Sequence, residues 1–569
     1  MPAADWLPAL RDPRVLRTET VAGVSVAMIL IPQAVAYAQL AGLPPQSGLY
    51  AACLPVMVAA LFGVARPLQA GPTALISLMT AAALAPIVAA GGTAWIVYAL
   101  ALAFLVGVFQ FAFGLLRLGQ LVNFLANPVV AGFTSAAAII IGTSQLGVLF
   151  RIEQPHEGWH FLGVVRVLAE IPTAAHLPTV LLALLTAGVI LLVKRLAPRL
   201  PAYLIALALA TLVAWSSGFA RAGGSVIGTL PTGFPMLTLP SLAPWIIADL
   251  FIAAVIIALI AFVESATVTR TLAARSRQSL DLDREMISQG LANMTAGIAQ
   301  GYPVSSSLAR SHYAWTAGAR TGFAALVAGA VAGVTILFAA PLFYHLPRAA
   351  LAVVIIFAIG GLLSFKPLLR ALRAHRQDGI TGIVTFVVAL LVAPALHQAV
   401  LIGVALSLGL FLYRSMRPHA LALGRHPDGS LRNATLYKLP PCDQITVLRF
   451  DGPLYFANAG HFSDSVLAAL SAKPSLRYII VDCSGIAEMD ATGEQVLAAV
   501  QRELHEAGVV LMLTAVRSTV RDVLVRTRLL KTIGLDHTFR DTDAALEWAW
   551  QRLEPGHRDR CPLRLFPTG

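Results

Sequence analysis

Long stretches without a charged residue constrain this 569-residue chain more than any other feature. Three of them cover 67–116, 118–150 and 379–413. Each is longer than the roughly 20 apolar residues that a helix needs to cross a bilayer. Only 12% of the residues are charged, whereas soluble domains average about a quarter. The sequence therefore predicts a polytopic α-helical membrane protein and argues against a soluble enzyme with a large buried core.

Hydropathy divides the chain near residue 417 into an apolar part and a mixed, globular part. We predict a cytoplasmic N-terminal segment (1–18), a membrane domain (19–416), a linker (417–436), a soluble domain (437–553) and a basic tail (554–569). The membrane domain is expected to hold about fourteen spans. Their predicted bounds are 19–38, 47–64, 72–83, 95–116, 121–149, 178–196, 201–218, 246–268, 285–300, 304–317, 321–341, 348–364, 378–395 and 398–415.

The positions of the basic residues give the predicted topology. Links after even-numbered spans are basic: Arg66; Arg117; Lys194, Arg195 and Arg199; Arg270, Arg275, Arg277 and Arg284; Arg320; Lys366, Arg370, Arg373 and Arg376; then Arg414 and Arg417. The other links hold mainly Arg151, Arg166, Arg221 and Arg348. Because cytoplasmic links are enriched in Lys and Arg, both termini are predicted to be cytoplasmic. The net charge of +12 then reflects topology and does not indicate nucleic-acid binding.

Two of the predicted spans are too short to cross a bilayer at 1.5 Å per residue. They are 72–83 and 304–317, the third span of each half, and each follows a lead-in that contains Pro and Gly. Paired interrupted helices at matching positions are typical of the central site of a transporter. The N-terminus of such a half-helix offers free N–H groups and a positive dipole end, so two facing ends would bind an anion without a metal.

Arg310 is the candidate charged partner of that anion. It is the only charged residue between Glu285 and Arg320, and it follows a run of serines at 305–307 that could donate hydroxyl groups. An isolated intramembrane arginine is costly unless it faces a cavity or a partner, and its planar donors suit an oxyanion. The alternative is an arginine that extends to the membrane interface.

Glu264 is the second isolated charge, because no other charged residue lies between Asp249 and Arg270. About 22 Å of helix separates it from Asp249, which places it well inside its span. It is either a proton carrier or a structural carboxylate paired with Arg310 or with backbone donors. In the first span, Gln33 and Tyr37 could line a polar cavity, although Gln33 could instead bond to the backbone that Pro32 leaves unpaired.

No motif indicates catalysis or a cofactor. The sequence lacks a phosphate-binding loop, a zinc-ligand spacing and a catalytic triad, and its thirteen histidines do not cluster. We therefore expect no enzyme activity, no cofactor and no metal. The cysteines of the C-terminal part are expected to be reduced in the cytosol.

Several segments resemble the sulfate permease (SulP) family. They are IPQAVAYA (31–38), AGLPP (41–45), GLY (48–50), GPTALISL (71–78) and SLARS (307–311), and the likeness runs from about residue 15 to 550. The resemblance implies a seven-plus-seven inverted repeat with a core and a gate domain, a homodimer, and an anion held between spans three and ten. The substrate-lining residues it implies are Gln33, Tyr37, Thr73, Ala74 and Arg310, and Glu264 is its acidic residue in span eight. To these we add Ser306, Ser307 and Ala309 as predicted substrate-binding residues, because they lie at the start of the second half-helix.

One departure from the family pattern bears on coupling. Relatives that import bicarbonate with sodium have a shorter acid in span eight and a threonine four residues later. This chain has Glu264 and Val268 at those positions, although Thr267 is adjacent. The departure disfavours sodium coupling and favours a proton or no cation.

The soluble domain is predicted to alternate strands (445–450, 478–483 and 509–514) with helices near 460–471, 493–506 and 518–531. This order predicts a small α/β layer. Together with the motif MDATG at 489–493, it resembles a STAS domain, whose relatives are phosphorylated at the position of Thr492. The simpler expectation is that Asp490 and Thr492 cap the helix that starts at Gly493.

The sequence thus predicts a secondary active transporter of small inorganic oxyanions in the bacterial inner membrane, with sulfate favoured and proton coupling possible. The alternatives are bicarbonate or C4-dicarboxylate transport, an anion channel or voltage-driven motor, and a sensor that signals through the STAS domain. The expected partners are the small anion, the bilayer, a second copy of the chain and a cytoplasmic regulator.

Overall fold

The computed structural model describes residues 6–88, 92–120, 126–153, 159–197, 200–231, 233–276 and 281–564. The chain divides into two compact units, Met1–Ser407 and Leu408–Gly569. Some predicted features lie outside the described residues. They are the first residues of the N-terminal segment, the start of the span at 121–149, the link residues Arg199 and Arg277, and the last five residues of the tail.

The first unit is helical, and each of the fourteen predicted spans overlaps at least one helix. The helices are Pro13–Leu40, Pro45–Ala51, Leu54–Phe62, Ala74–Leu84, Thr93–Leu115, Asn127–Phe150, His160–Ala174, Leu177–Leu196, Ala202–Ser216, Pro244–Ser276, Leu282–Ile298, Leu308–Thr316, Phe323–Val334, Arg348–Ile359, Lys366–Ala374, Arg376–Leu391 and Leu396–Met416. Among the described residues, eight helical segments are long and apolar enough to cross a membrane. The number fourteen stays a prediction.

Three features of this unit were not predicted. The helices His160–Ala174 and Lys366–Ala374 lie in segments that were treated as links. The helix that carries Glu264 extends to Ser276, beyond the predicted end at 268. Phe323–Val334 continues into a π-helical turn and a 3₁₀ turn, where hydropathy indicated one continuous span.

Helices of the two halves of this unit pack on each other in matching pairs. Pro13–Leu40 of the first half packs on Phe323–Val334 of the second, and Pro244–Ser276 of the second half packs on Thr93–Leu115 of the first. Each pair joins the first helix of one half to the fourth span of the other. The same exchange of partners is expected when two copies of one fold interlock about a pseudo-twofold axis.

Small residues allow the helices of the two halves to approach closely. Gly107 of Thr93–Leu115 lies against Leu282–Ile298, where a Cβ atom on this glycine would stand 2.4 Å from the backbone nitrogen of Met294. Any side chain there would force the two backbones apart. Glycine at such contacts is characteristic of membrane helices, in which close van der Waals packing drives association.

Two short strands pair with each other inside this unit. β1 (Ala70–Gly71) pairs with β2 (Ser305–Ser306) in antiparallel register, with Ala70 opposite Ser306 and Gly71 opposite Ser305. Both strands are buried, so their pairing satisfies backbone groups that could not be left unbonded in the membrane. β1 leads into the half-helix Ala74–Leu84 and β2 into the half-helix Leu308–Thr316. The two half-helices therefore begin next to each other.

The second unit contains a six-stranded mixed sheet with the order β4-β3-β5-β6-β7-β8. Its strands are β3 (His419–Arg425), β4 (Leu431–Asn433), β5 (Ile445–Asp451), β6 (Tyr478–Asp482), β7 (Val510–Thr514) and β8 (Thr538–Phe539). β5 to β8 are parallel, whereas β3 pairs antiparallel with β4 and with β5. Residues 417–436 were expected to be a linker, but they contribute β3 and β4 to this sheet.

Helices cover both faces of that sheet. One apolar cluster joins the sheet to Ala459–Ser471, Ala491–Glu506, Ser518–Arg526 and Leu529–Ile533. A second cluster, on the other face, contains Ile445, Tyr478 and Met512 together with the helix Thr542–Gln551 and the end of the chain at Cys561 and Leu563. Three strands and three of these helical regions match the prediction, whereas β3, β4, β8 and the helix Thr542–Gln551 were missed.

Candidate anion-binding site

A cavity of about 520 Å³ opens beside the two half-helices. Much of its wall is apolar, and the polar side chains gather where the half-helices begin. The lining residues predicted from sequence are Gln33, Tyr37, Thr73, Ala74, Glu264, Ser307, Ala309 and Arg310. Four separate segments of the chain therefore bring all but one of the predicted site residues to the same cavity.

Both half-helix N-termini open into this cavity. The first end contributes Thr73 and Ala74, and the second contributes Ser307 and Ala309. The first N–H groups of a helix have no acceptor within the helix, and both ends carry a partial positive charge. At the second end, Ser307 accepts a hydrogen bond from the backbone N–H of Arg310. The hydroxyl of Thr73 makes no such cap at the first end.

Arg310 is fixed at one edge of its guanidinium and free at the other. The side chain is 1% exposed. Its Nη1 donates to Gln33 Oε1 at 3.2 Å and to the carbonyl of Pro72 at 2.9 Å. Nε and Nη2 have no partner among the described residues. Those two nitrogens form a planar donor fork of the kind that binds an oxyanion in bidentate fashion. A buried arginine with unfilled donors is costly and indicates a site for an acceptor.

Glu264 lies at the first half-helix end. Its Oε2 accepts a hydrogen bond from Thr73 Oγ1 at 3.3 Å, and no ion pair within 4.0 Å joins it to a basic group of the described residues. The structure therefore shows no direct ion pair between Glu264 and Arg310. The interpretations of Glu264 as a proton carrier and as a structural carboxylate held by other donors both stay predictions. The negative charge of an ionised Glu264 would instead compete with a bound anion for the positive helix end.

Gln33 and Tyr37 lie on the helix Pro13–Leu40, one turn apart, and both line the cavity. Gln33 contacts Arg310, as described above, so its amide oxygen orients the guanidinium. This contact favours the site interpretation of Gln33 over a bond to the backbone near Pro32. Tyr37 is 5% exposed and supplies an aromatic wall with a hydroxyl group at the polar end of the cavity.

Ser306 was predicted to contact substrate, but it does not line the cavity. Its hydroxyl accepts hydrogen bonds from Ser265 Oγ at 3.1 Å and from Gln289 Nε2 at 3.0 Å. The bond from Ser265 ties β2 to the helix that carries Glu264, and the bond from Gln289 ties β2 to the helix Leu282–Ile298. The hydroxyl of Ser306 is thus engaged within the protein and lies away from the cavity lining.

Sequence reasoning missed the buried polar network behind β2. Asn293 bonds to both backbone groups of Val304 and donates to Gln110 Oε1. Glu285, which is fully buried, accepts hydrogen bonds from Gln289 and from the backbone of Val64. The sequence signal was available, because polar side chains recur along the apolar helix Leu282–Ile298.

The apolar wall of the cavity was also missed. It comes from Asn127–Phe150, through Val129, Val130 and Phe133, and from Ile260 and Val263 of Pro244–Ser276. No local pattern distinguishes these residues from others that face lipid or neighbouring helices. Only the packing of the helices shows that they enclose the site.

A second cavity, of about 1000 Å³, follows the same helices. Pro13–Leu40 contributes Gln33 and Tyr37 to the first cavity and Gln39 and Leu40 to the second. The half-helix Ala74–Leu84 likewise gives its N-terminal residues to the first cavity and Leu78, Ala81 and Ala82 to the second. The two cavities are therefore stacked along one seam between the same helices.

In the second unit, Asp490 caps the helix Ala491–Glu506. Its Oδ1 accepts from the backbone of Gly493 at 2.8 Å and its Oδ2 from that of Phe456 at 2.9 Å. The capping role predicted for Asp490 is confirmed. Thr492 makes no cap bond there, and its side chain is exposed at the first turn.

Family models match both units. The sulfate permease family model matches residues 16–388, and the STAS domain model matches residues 438–545. A protein of Mycobacterium tuberculosis named "Probable sulfate transporter" is 32% identical over 556 residues, which cover 96% of this chain and 98% of that protein. Human solute carrier family 26 member 6 is also 32% identical, over 82% of this chain and 64% of its own length.

Solved structures share the fold. The murine Slc26a9 anion transporter, in an inward-facing state, superposes with a TM-score of 0.88 at 22% identity and covers 97% of this chain and 94% of its own. The transmembrane domain of the cyanobacterial bicarbonate transporter BicA gives a TM-score of 0.59 at 25% identity, over 70% of this chain and 98% of its own. With this architecture and these matches, the chain belongs to the sulfate permease family of anion transporters and carries a C-terminal STAS domain.

Proposed function

We propose that the chain is a secondary active transporter of sulfate that works by alternating access. The observation that carries the proposal is the free Nε and Nη2 edge of Arg310 at the convergence of two half-helix ends. An oxyanion bound there accepts two guanidinium donors and the N–H groups of the helix ends, and no metal is needed. The substrate-binding residues that we assign are Gln33, Tyr37, Thr73, Ala74, Ser307, Ala309 and Arg310, with Ser306 in a positioning role.

Two stacked cavities support alternating access. They lie along the same helices and are separated at the level of the half-helices. A relative movement of the helices that carry the half-helix ends against the wall helices would close the first cavity and open the second. The anion would then pass from one side to the other while held by Arg310. In this assignment residues 19–416 carry transport, and residues 437–553 regulate or assemble.

Charge balance supports coupling to a proton. Sulfate carries two negative charges, whereas the site offers one guanidinium and the partial charges of two helix ends. An ionised Glu264, held beside Thr73, would repel the anion. Protonation of Glu264 removes that repulsion, so anion and proton bind together and cross together. The proposal is therefore proton–sulfate symport.

Bicarbonate is the second candidate substrate. The structural similarity to BicA favours it, because a planar oxyanion would also fit the Arg310 fork. The relatives with sulfate in their names are more similar over the full chain, which supports sulfate as the first choice. C4-dicarboxylates share the same carboxylate chemistry and belong in the same test.

Three further assignments complete the proposal. We place the protein in the plasma membrane of a bacterium with both termini in the cytoplasm, on the basis of the arginine distribution and the mycobacterial relative. We assign a homodimer. Exposed Thr492 is a candidate phosphorylation site on the STAS domain. Phosphopeptide mapping of the protein from its native host tests this assignment. Thr492 that is unmodified in every growth condition would contradict it.

Flux into proteoliposomes tests the function. Purified protein should take up radiolabelled sulfate with saturation and counterflow, and an inward proton gradient should raise the initial rate. Unlabelled bicarbonate and succinate, added in turn, rank the substrates by competition. A channel would conduct current but show no counterflow. A pure sensor would show neither current nor counterflow. Uptake of none of sulfate, bicarbonate, chloride or succinate would overturn the proposal.

A further inference from the structure

Two cysteines that are far apart in sequence meet inside the STAS domain. Cys442 precedes β5, and Cys561 lies in the segment that follows the helix Thr542–Gln551. Their sulfur atoms are 3.0 Å apart, although the residues are 119 positions apart in the chain. They are 5% and 6% exposed. A disulfide requires about 2.05 Å between the sulfurs, so a shift of about 1 Å would join them.

The segment that carries Cys561 is held in place by contacts of its own. Trp550 Nε1 donates to the carbonyl of Arg558 at 3.0 Å, and the guanidinium of Arg558 lies 4.3 Å from the centre of the Trp550 ring. Glu554 forms an ion pair with Arg477, which directly precedes β6. Leu563 is buried in the apolar cluster on the sheet. The two thiols are thus brought together by the fold and not by the chance position of a loose end.

The surroundings make the two thiols unequal. Cys561 Sγ donates a hydrogen bond to Cys442 Sγ, and this bond is the main reason why the pKa of the Cys442 thiol is lowered. Backbone N–H groups and the ammonium of Lys473, which bonds to the carbonyl of Cys442 at 2.8 Å, act in the same direction. The pKa of Cys561 is raised, because its proton is shared with the neighbouring sulfur.

Cys483 provides an internal contrast in the same unit. Burial raises the pKa of its thiol to about 12, and its Sγ bonds only weakly, to the carbonyl of Val481 at 3.6 Å. A thiol in that state is a poor nucleophile. Within the described part of the STAS domain, one cysteine pair is therefore suited to oxidation, and a third cysteine is not.

We propose that Cys442 and Cys561 form a dithiol that hydrogen peroxide oxidises reversibly to a disulfide, which fastens the C-terminal segment 554–564 to the sheet. In the first step, the Cys442 thiolate attacks one peroxide oxygen, the O–O bond breaks, and hydroxide leaves. In the second, Cys561 attacks the resulting sulfenic sulfur, the S–O bond breaks, and water is released after proton transfer. Peroxide is the oxidant and the two thiols are the reductant. A cellular thiol reverses the reaction by exchange.

The redox state of the compartment decides whether this cysteine pair is normally reduced or oxidised. Cytosolic thiols are normally kept reduced, and cytosolic disulfides are usually transient or redox-sensing. A pair on the cytoplasmic side would therefore rest as two thiols and close only under oxidative load. Closing a loop across 119 positions restricts the unfolded and locally opened states of the domain, so the oxidised form holds its C-terminal segment more firmly.

Peptide mapping of the purified full-length protein tests the proposal. The reduced protein is treated with a small molar excess of hydrogen peroxide, alkylated under denaturing conditions and digested without reductant. We expect a cross-linked peptide pair containing Cys442 and Cys561, which dithiothreitol removes, while Cys483 is recovered alkylated. Hydrogen–deuterium exchange in peptides from 554–564 should slow by roughly tenfold or more on oxidation.

Variants divide the roles of the two sulfurs. In Cys561→Ser, the sulfenic acid at Cys442 has no partner and should be captured by dimedone. Cys442→Ser should leave Cys561 unoxidised at the same peroxide dose, and Cys483→Ser, as the matched control, should form the cross-link normally. Recovery of both cysteines as separate alkylated or glutathione adducts in the oxidised wild-type protein, or a cross-link between two copies of the chain, would overturn the proposal even if a variant fails to fold.

Discussion

The two half-helix ends are copies of one backbone arrangement with different chemistry. Ala74–Leu84 and Leu308–Thr316 are each entered through a buried two-residue strand, and β1 and β2 pair with each other. The second half-helix itself carries a charged residue, Arg310, and its N-cap Ser307 accepts a hydrogen bond from the helix backbone. At the first end the N-cap Thr73 bonds to Glu264 instead.

This difference indicates a division of labour. Duplication of the backbone supplies two sets of N–H donors, which are indifferent to pH. The second end adds a permanent positive charge, because an arginine remains protonated at all physiological pH values. The first end adds a carboxyl group whose charge can change. Arg310 also donates a hydrogen bond to the carbonyl of Pro72, just before the first half-helix. This bond links the guanidinium of the second half-helix to the segment that leads into the first.

Removal of the charge from the second end should have the largest effect. Arg310→Ala is expected to lower sulfate uptake by at least about a hundredfold, because a buried charged hydrogen-bond partner of the anion is lost. Arg310→Lys should restore only a small part of the wild-type uptake rate, since an ammonium cannot form the planar two-donor contact. The initial rate of uptake into proteoliposomes measures both.

The control for Arg310→Ala is Arg221→Ala, which removes an exposed arginine that lines neither cavity. Its uptake should match the wild-type rate. Flux close to wild type in Arg310→Ala, with normal expression, would remove Arg310 from the site and end the distinction between the two helix ends.

Neutralising the carboxyl at the first end should change coupling more than binding. In Glu264→Gln the ratio of uptake with and without an inward proton gradient should fall to about one, because proton and anion binding are no longer linked. Counterflow of sulfate should continue. The matched control is Asp249→Asn, which lies on the same helix but outside the cavity. If a proton gradient still stimulates uptake in Glu264→Gln, Glu264 does not couple proton and anion transport.

The hydroxyl that links Thr73 to Glu264 should have a smaller effect. Thr73→Val keeps the shape and removes one hydrogen bond to a charged acceptor, so we expect a change of about threefold to tenfold in KM for sulfate at neutral pH. Thr80→Val is the control, since that hydroxyl bonds only to the carbonyl of Ile76 within the same half-helix. Equal KM values for the two variants would show that the Thr73 hydroxyl has no specific role in sulfate binding.

The N-cap of the second end should give an effect of comparable or smaller size. Ser307→Ala removes a cap worth about 1 kcal/mol, so uptake should fall by about fivefold while the response to a proton gradient stays the same. Ser307→Thr retains a capping hydroxyl and should restore the rate. A loss of gradient response in Ser307→Ala would show that the second end also senses protons, and the division between the ends would fail.

Much of the membrane unit follows from local sequence. Charge-free stretches predict spans, and the Pro- and Gly-containing lead-ins at 69–73 and 301–305 mark the two interrupted helices. Isolation in an apolar context identified Arg310 and Glu264. Ser306 shows the limit of this reasoning, since sequence proximity to Arg310 suggested a ligand contact, whereas the register of β2 turns its hydroxyl toward Ser265 and Gln289.

In the soluble unit, the alternation of strands with helical segments identified the three central strands, whereas β3, β4, β8 and the helix Thr542–Gln551 were not predicted. The sequence predicts a linker where β3 and β4 lie, because these residues carry the mixed polarity that is typical of strands near the edge of a sheet with one exposed face. The strand form of β3 depends on hydrogen bonds to β5, and that of β4 on hydrogen bonds to β3. Such pairing is decided by a partner elsewhere in the chain and leaves little trace in local composition.

The sequence by itself determined that this chain spans a membrane, that two of its helices are interrupted, and that one arginine and one carboxylate lie in an apolar setting. These follow because lipid offers no hydrogen bonds, so both backbone and charge must find partners within the protein. Only the tertiary structure decided the partners. Arg310 meets Gln33 across 277 positions and Glu264 meets Thr73 across 191, and such contacts depend on how whole helices pack, which no local pattern specifies.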